Sequence, residues 1–266
     1  MTSVADTGYS SFELPVTHIE DTAPMTEAEQ AIRRDLAAAY RLCAVFGWDD
    51  LIYTHISARL PGPEHHFLVN PLGLGFDEIT ASSLVKIDLD GNVIGDTPYR
   101  PNAAGFVIHG AIHSAREDAQ CVMHLHSEAG MALSTLEAGL LPITQHAMRF
   151  HGRLGYHDYE GIALSTAERE RLVADLGGHV ALILRNHGTI TTGRSVAQAF
   201  TENYYLEKAA RAQLLAMAAG SPLITPPREV IELTVRQWVG DLGVSHDREW
   251  PSLVRKLDRA DPSYRD

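Results

Sequence analysis

The stretch Val122–Gly130, VMHLHSEAG, places His124 and His126 two residues apart at the end of an apolar run. In an extended strand, residues i and i+2 point to one face, roughly 6.5–7 Å apart along the backbone. Two imidazoles so placed can converge on one ion, whereas a helix would splay the same pair. An isolated H-x-H is more often structural than ligating. A third histidine changes that reading, and His187 supplies it. It also ends an apolar run, HVALILRNHG, and precedes Gly188, where the backbone can turn sharply beside a site. Three histidines at strand ends with an open fourth position form the usual environment of a catalytic zinc. Such a site needs a group to move protons, and the Gly-rich loop NPLGLGFDEIT offers Asp77 and Glu78. The competing reading of that loop is a plain turn with solvated acids.

The surrounding pattern supplies elements to hold these residues. TEAEQAIRRDLAAAYRLCAVFG opens with Thr26 and Glu29 at capping-box spacing and repeats Ile32, Leu36, Tyr40, Cys43 and Ala44 at helical intervals, with Gly47 as its stop. LIYTHISARL and HHFLVNP are short β-like runs separated by the turn PGPE, and LVKIDLDGNVIG predicts a hairpin turning at Asp90-Gly91. Helices are expected over 102–117, after Ser127 as N-cap, over 166–176, from Ser195 to Gly220, and at about 226–241. Residues 1–25 form a polar arm, 26–222 the main domain and 223–266 a Pro-bearing helical tail. Strands fall singly between helices, which predicts an α/β class with a mixed sheet.

Composition narrows the partners. The chain has 266 residues, 45% hydrophobic, enough to bury a sizeable core, and a net charge of −12 that repels nucleic acid and anionic membrane surfaces. The two cysteines, Cys43 and Cys121, stand in apolar patterns without C-x-x-C spacing, so no disulfide framework is expected. No secretory leader or membrane-length apolar run is evident, and a soluble cytoplasmic protein is the expectation.

Taken together, YTHISARL, NPLGLGFDEITASSLVKIDLDG, VMHLHSEAG and ILRNHGTITTG resemble the class II aldolase/adducin family, over about residues 27–219 and nearest its adducin-like bacterial branch. The resemblance implies a three-layer α/β/α fold with a central, mainly antiparallel nine-stranded sheet flanked by helices. It also implies a C4 homotetramer with active sites between subunits. It places the metal ligands on His124, His126 and His187, with zinc the expected ion and Mn2+, Fe2+ or Co2+ as other candidates. The family's acidic residue, a ligand of the resting metal and a base, falls on Asp77, with Glu78 one place off.

Three departures from the family pattern bear on substrate. The phosphate-binding Gly-Asn becomes Thr54-His55, and the next contact becomes Leu72-Gly73, so a small non-phosphorylated substrate is expected. The tyrosine that protonates the leaving aldehyde from a neighbouring subunit falls on His146, a residue able to act as an acid near neutral pH. His55, Ser57, Asn70, Gly73 and Tyr159 are the candidate substrate contacts. The implied activity is aldol-type cleavage or formation of a carbon–carbon bond through a metal-stabilised enediolate on a hydroxy-carbonyl or hydroxy-acid. A decarboxylase or non-haem iron oxygenase of the same fold, and a non-catalytic adducin-like scaffold, are the alternatives. Of the remaining histidines, His109 and His113 read as a helix face packed on the sheet, and His65-His66 as solvated. Arg149, His151, Tyr156, His157 and Tyr159 form a cluster either packed in the core or available to substrate. Glu207 reads as a support for a ligand histidine or as an ordinary surface acid.

Overall fold

The computed structural model describes residues 17–101, 103–161, 166–241 and 246–266. Residues 1–16 of the arm expected over 1–25, and the predicted helix start at Asn102, lie outside them.

Nine strands form one sheet: β1 (His18–Ile19), β2 (His55–Arg59), β3 (Phe67–Val69), β4 (Val85–Ile87), β5 (Val93–Ile94), β6 (Cys121–Leu125), β7 (Leu154–His157), β8 (Ala181–Leu184) and β9 (Gly188–Gly193). Their order is β1-β5-β4-β3-β2-β6-β9-β8-β7. The pairs at the two edges, β1 with β5 and β7 with β8, are parallel, and the pairs between them are antiparallel. The sheet is therefore mixed and mainly antiparallel.

Helices cover both faces. On one side lie α1 (Glu27–Phe46), α3 (Glu128–Ser134) and α6 (Val196–Ala218), with α8 (His246–Ala260) packed against α1 and α6; on the other lie α2 (Ala103–Ala115) and α5 (Thr166–Leu176). The short α4 (Gln145–Met148) and α7 (Arg228–Arg236) lie against each other, and α4 also meets α6.

Alternation along β6 explains the layering. Cys121, Met123 and Leu125 join a core with Leu36, Tyr40, Ile56 and Phe200, whereas Val122 packs with Ile112, Leu172, Leu182 and Ile190 on the α2/α5 side. Burying each such aliphatic or aromatic side chain contributes about 1.5–3 kcal/mol. His124 follows Val122 by two and so faces the α2 layer.

Local signals set most boundaries. Thr26 Oγ1 accepts from the Glu29 N–H at 3.1 Å, while the Glu29 carboxylate turns instead to Arg33 at 2.9 Å and Lys86 at 3.3 Å, so only half of the capping box forms. Gly47 closes α1 at φ 68°, and Gly91 turns the β4–β5 hairpin at φ 84°. Ser127 occupies the N-cap of α3, yet its hydroxyl bonds the Glu207 carboxylate rather than a helix N–H.

The tail differs from expectation. The predicted helix at 226–241 is α7 continued by a π-helical turn over Gln237–Asp241, and α8 follows it. Pro251 inside α8 breaks the sequence pattern that would have announced this helix. Trp250 and Leu257 of α8, with Tyr264 beyond it, bury into the same core as α1. The last residues then return to the body, where the Ala81 N–H donates to Tyr264 O and the Ser82 N–H to Asp266 O, each at 2.8 Å. Among the described residues, no helix is long and apolar enough to cross a membrane.

Candidate metal centre

His124 is the penultimate residue of β6, and His126 follows the strand immediately. His187 lies in the three-residue turn that joins β8 to β9, its N–H donating to Leu184 O at 3.1 Å. The tight approach of β9 to β6 brings the turn onto the H-x-H pair. Gly188 makes that approach possible, because a Cβ there would stand 2.5 Å from Leu125 O and 3.1 Å from His126 Cδ2. The left-handed residue of the turn is Asn186, at φ 56°, so Gly188 is required for closeness rather than for a sharp bend.

One ring nitrogen from each of the three histidines lies within 4.8 Å of the others. The ring centroids are 4.8 Å apart for His124–His126 and His124–His187, and 4.7 Å for His126–His187.

Hydrogen bonds behind the rings decide the tautomers. His124 Nδ1 lies 3.2 Å from Thr189 O, and a carbonyl can only accept, so the proton is on Nδ1 and Nε2 is bare. His126 Nδ1 lies 2.9 Å from the Asp50 carboxylate, which places a proton on Nδ1 and turns Nε2 toward His124. The two Nε2 atoms stand 3.1 Å apart, a separation that suits two donors to one cation. Two imidazole nitrogens on one tetrahedral zinc stand about 3.3 Å apart.

Electrostatics support the same occupancy. Burial, with neighbouring His55, His187 and His126, holds His124 well below its ordinary imidazole value, and burial takes His187 down to about 4. Both therefore stay neutral at physiological pH, with lone pairs free to ligate. The donor set fits a divalent transition metal.

The other candidates are placed unevenly. Tyr159 is 53% exposed with its ring 6.2 Å from that of His187, at the edge of the centre. His55 pairs directly with His124 across β2 and β6, with ring centroids 5.2 Å apart. Asp77 sits exposed in a 3-10 turn over Phe76–Glu78 and is outside the histidine cluster, while Glu78 caps that turn by accepting from the Gly75 N–H at 2.8 Å. His146 lies on α4 beside Tyr205, ring centroids 5.0 Å apart, and is likewise outside the cluster of its own chain. Burial and the nearby Lys208 and Arg149 lower its basicity.

Asn70 is fully buried, its Oδ1 accepting from the Tyr40 hydroxyl at 2.9 Å. The Ser57 hydroxyl is buried against His109 and His113. Gly73 adopts φ 96° in the loop that follows exposed Leu72. Glu207 supports Ser127, the residue after His126, rather than a ligand ring. Arg149 is committed to the core, paired with Glu202. His157 is held by Asp175 at 2.7 Å.

Asp50 escaped the sequence reading. It lies in WDDLIY after α1, 76 residues from His126, and no local spacing joins it to either histidine motif.

Residues 34–214 match the class II aldolase and adducin N-terminal domain. The chain belongs to this family. It is 54% identical to a Caulobacter vibrioides protein named "Putative aldolase class 2 protein", over 91% of this chain and 95% of that one. A crystal structure of an aldolase II superfamily protein from Pseudomonas syringae is 51% identical, with a TM-score of 0.88 over 91% of this chain and 98% of the other. An L-fuculose 1-phosphate aldolase from Glaciozyma antarctica is 31% identical, with a TM-score of 0.79 over 92% and 97%. The fold and the histidine cluster are consistent with an enzyme of metal-dependent lyase type.

Proposed function

We propose that this protein is a divalent-metal-dependent lyase that breaks or forms a carbon–carbon bond in a small, non-phosphorylated hydroxy-carbonyl or hydroxy-acid. The observation that carries this reading is the convergence of His124 Nε2 and His126 Nε2, 3.1 Å apart with His187 beside them. In this reading the three histidines hold zinc, with Mn2+, Fe2+ or Co2+ as the other metals the donor set accepts. When bound, the cation supplies Lewis acidity to the oxygens on which charge develops as the bond breaks. The Thr189 carbonyl and the Asp50 carboxylate keep two of the rings aimed.

Asp77 moves a proton on one side of the substrate. His146, entering from a neighbouring subunit of a homotetramer, donates one on the other. Tyr159 stands exposed at the edge of the centre, where a substrate would enter. Replacement of the phosphate-binding Gly-Asn by Thr54-His55, with an apolar Leu72 before Gly73, supports a substrate without phosphate. A cytoplasmic location fits the same picture.

A second reading, an adducin-like scaffold, draws on 43% identity to rat alpha-adducin over 76% of this chain and 28% of that protein. The retained ligands and their supporting carbonyl and carboxylate favour catalysis. Metal analysis and product screening decide. One equivalent of divalent metal in the wild-type protein, none in His124→Ala, and aldehyde release from short hydroxy-carbonyl compounds support the lyase. Carbon dioxide release instead assigns a decarboxylase, and oxygen consumption an oxygenase. Well under one equivalent of metal, with stability indifferent to chelator, assigns the scaffold.

A further inference from the structure

Behind the three ligands runs a buried chain of polar side chains, and His55 is the end of it nearest the metal centre. His113 Nδ1 lies 2.8 Å from Ala119 O; its Nε2 lies 2.7 Å from Ser57 Oγ. Ser57 Oγ lies 2.6 Å from His109 Nδ1, and His109 Nε2 lies 2.8 Å from His55 Nδ1. The four residues are 2–4% exposed, so water does not compete for these bonds.

A single group orients the whole series. Ala119 O can only accept, which puts the His113 proton on Nδ1 and leaves its Nε2 as an acceptor. The Ser57 hydroxyl must then donate to His113 and accept from His109 Nδ1–H. His109 Nε2 is consequently bare and accepts from His55 Nδ1–H. The last ring ends the series with a proton on Nδ1 and a lone pair on Nε2. Burial takes His113 down to about 3 and His109 well below its ordinary value, so each of these two rings passes the series on with one donor and one acceptor.

The His55 ring stands beside the metal centre, its centroid 5.2 Å from that of His124. His55 stands opposite His124 in the β2–β6 register, and directly paired residues of antiparallel strands project from the same face. Its Nδ1 side is taken by His109.

We propose that the Ala119–His113–Ser57–His109 relay fixes His55 as a hydrogen-bond acceptor at the metal centre, making it a specificity residue that takes a substrate hydroxyl and rejects phosphate. A hydroxyl can donate to the bare Nε2. A phosphate dianion, which offers only acceptors, meets lone pair against lone pair and a desolvated pocket. The proposal rests on the metal-dependent reading above and specifies which polar group the substrate brings to this side of the ion.

Imidazole nitrogen NMR on the full-length, zinc-loaded protein tests it. The expected His55 signature is a protonated Nδ1 and a bare Nε2, retained when zinc is chelated. A proton on His55 Nε2 in the wild-type protein overturns the proposal, and this measurement requires no variant to fold. Ser57→Ala cuts the relay and is expected to turn His55 into a mixture of tautomers; an unchanged single tautomer overturns the relay. Dihydroxyacetone is expected to shift the His55 Nε2 resonance, and methyl phosphate, held as its acceptor-only dianion at pH 8, to leave it in place. A phosphate-induced shift, or none with dihydroxyacetone, overturns the specificity role. Zinc content separates this from the metal reading. His55→Asn should keep one equivalent; if it does not, His55 is itself a ligand and the proposal falls while the metal site stands. Wild-type protein without zinc removes the lyase reading itself.

Discussion

The Asp50 carboxylate accepts a hydrogen bond from His126 Nδ1 at 2.9 Å, across 76 positions of sequence. That contact fixes the ring's tautomer and aims its other nitrogen at the metal centre. Removing it should weaken metal binding without unfolding the chain, because Asp50 is half-exposed and belongs to no core cluster. Asp50→Ala is expected to lower zinc affinity about 10–100-fold. Competition with a calibrated chelator measures it, and wild-type affinity in the variant would deny Asp50 any supporting role.

Gly188→Ala should be more damaging than its size suggests. Its Cβ would stand 2.5 Å from the Leu125 carbonyl, and β9 must withdraw from β6 at the point where His126 and His187 meet. Zinc affinity is expected to fall about tenfold or more, in line with losing an orienting contact, and stability should fall with it. Chelator competition and urea unfolding on the same preparation would show both, and an alanine variant with unaltered zinc affinity would rule out the close approach as the reason for glycine.

Chelation should lower thermal stability. A ligand held only by the folded state stabilises it by about 2.7 kcal/mol when free metal is a hundredfold above its dissociation constant. The melting temperature of wild-type protein is therefore expected to drop on adding chelator, while that of His124→Ala stays put. An equal response from both would disconnect the effect from the three histidines.

The relay histidines predict an acid-labile protein once metal is removed. In the unfolded chain, His55 and His113 take up protons as pH falls below about 6.5, whereas in the folded protein burial delays this until about 3. Between those values the unfolded state binds more protons, so stability declines as pH drops, with a slope up to about 1.4 kcal/mol per pH unit for each ring. Urea midpoints of chelated protein at pH 7 and pH 5 should differ in that direction. A flat profile would mean the rings protonate without unfolding.

Arg149 and Glu202 should be tested as a unit. They form two 2.9 Å hydrogen bonds with side chains 1% and 0% exposed, and the guanidinium lies against Tyr205 and Trp238 at 4.8 and 5.0 Å. Glu202→Ala strands a buried cation and is expected to cost about 3–5 kcal/mol, whereas replacing both residues by apolar ones of similar volume should cost less. Urea titrations of the single and double variants compare the two, and a milder single variant would mean that water reaches Arg149.

The residues that announced themselves in sequence did so through short periods. His124 and His126 lie two apart at a strand end, and His187 ends its own apolar run beside a glycine, so each motif could be read locally. The helix over 166–176 and the Asp90-Gly91 hairpin were legible for the same reason. What stayed hidden depends on register between distant segments. Asp50 reaches His126 only after the 50–54 loop folds back, with Leu51 and Thr54 in left-handed backbone conformations that non-glycine residues rarely signal. The i,i+4 spacing of His109 and His113 predicts a helix face packed on the sheet; both are buried, but what they pack against is a serine and another histidine, and no spacing rule joins Ser57 to either. α8 was hidden by Pro251, because its apolar anchors Trp250 and Leu257 gain meaning only against α1.

β6 is an inner strand of the nine, bonded to β2 on one side and β9 on the other. Two of the three imidazoles therefore ride on, or one step beyond, the part of the sheet least able to breathe, and the third hangs from a turn clamped to it. Such a socket is expected to be finished before an ion arrives, leaving little chain ordering to oppose uptake. Metal-free and metal-loaded protein should share one far-UV spectrum, and the slowest backbone amides to exchange should be those of residues 121–125 in both states.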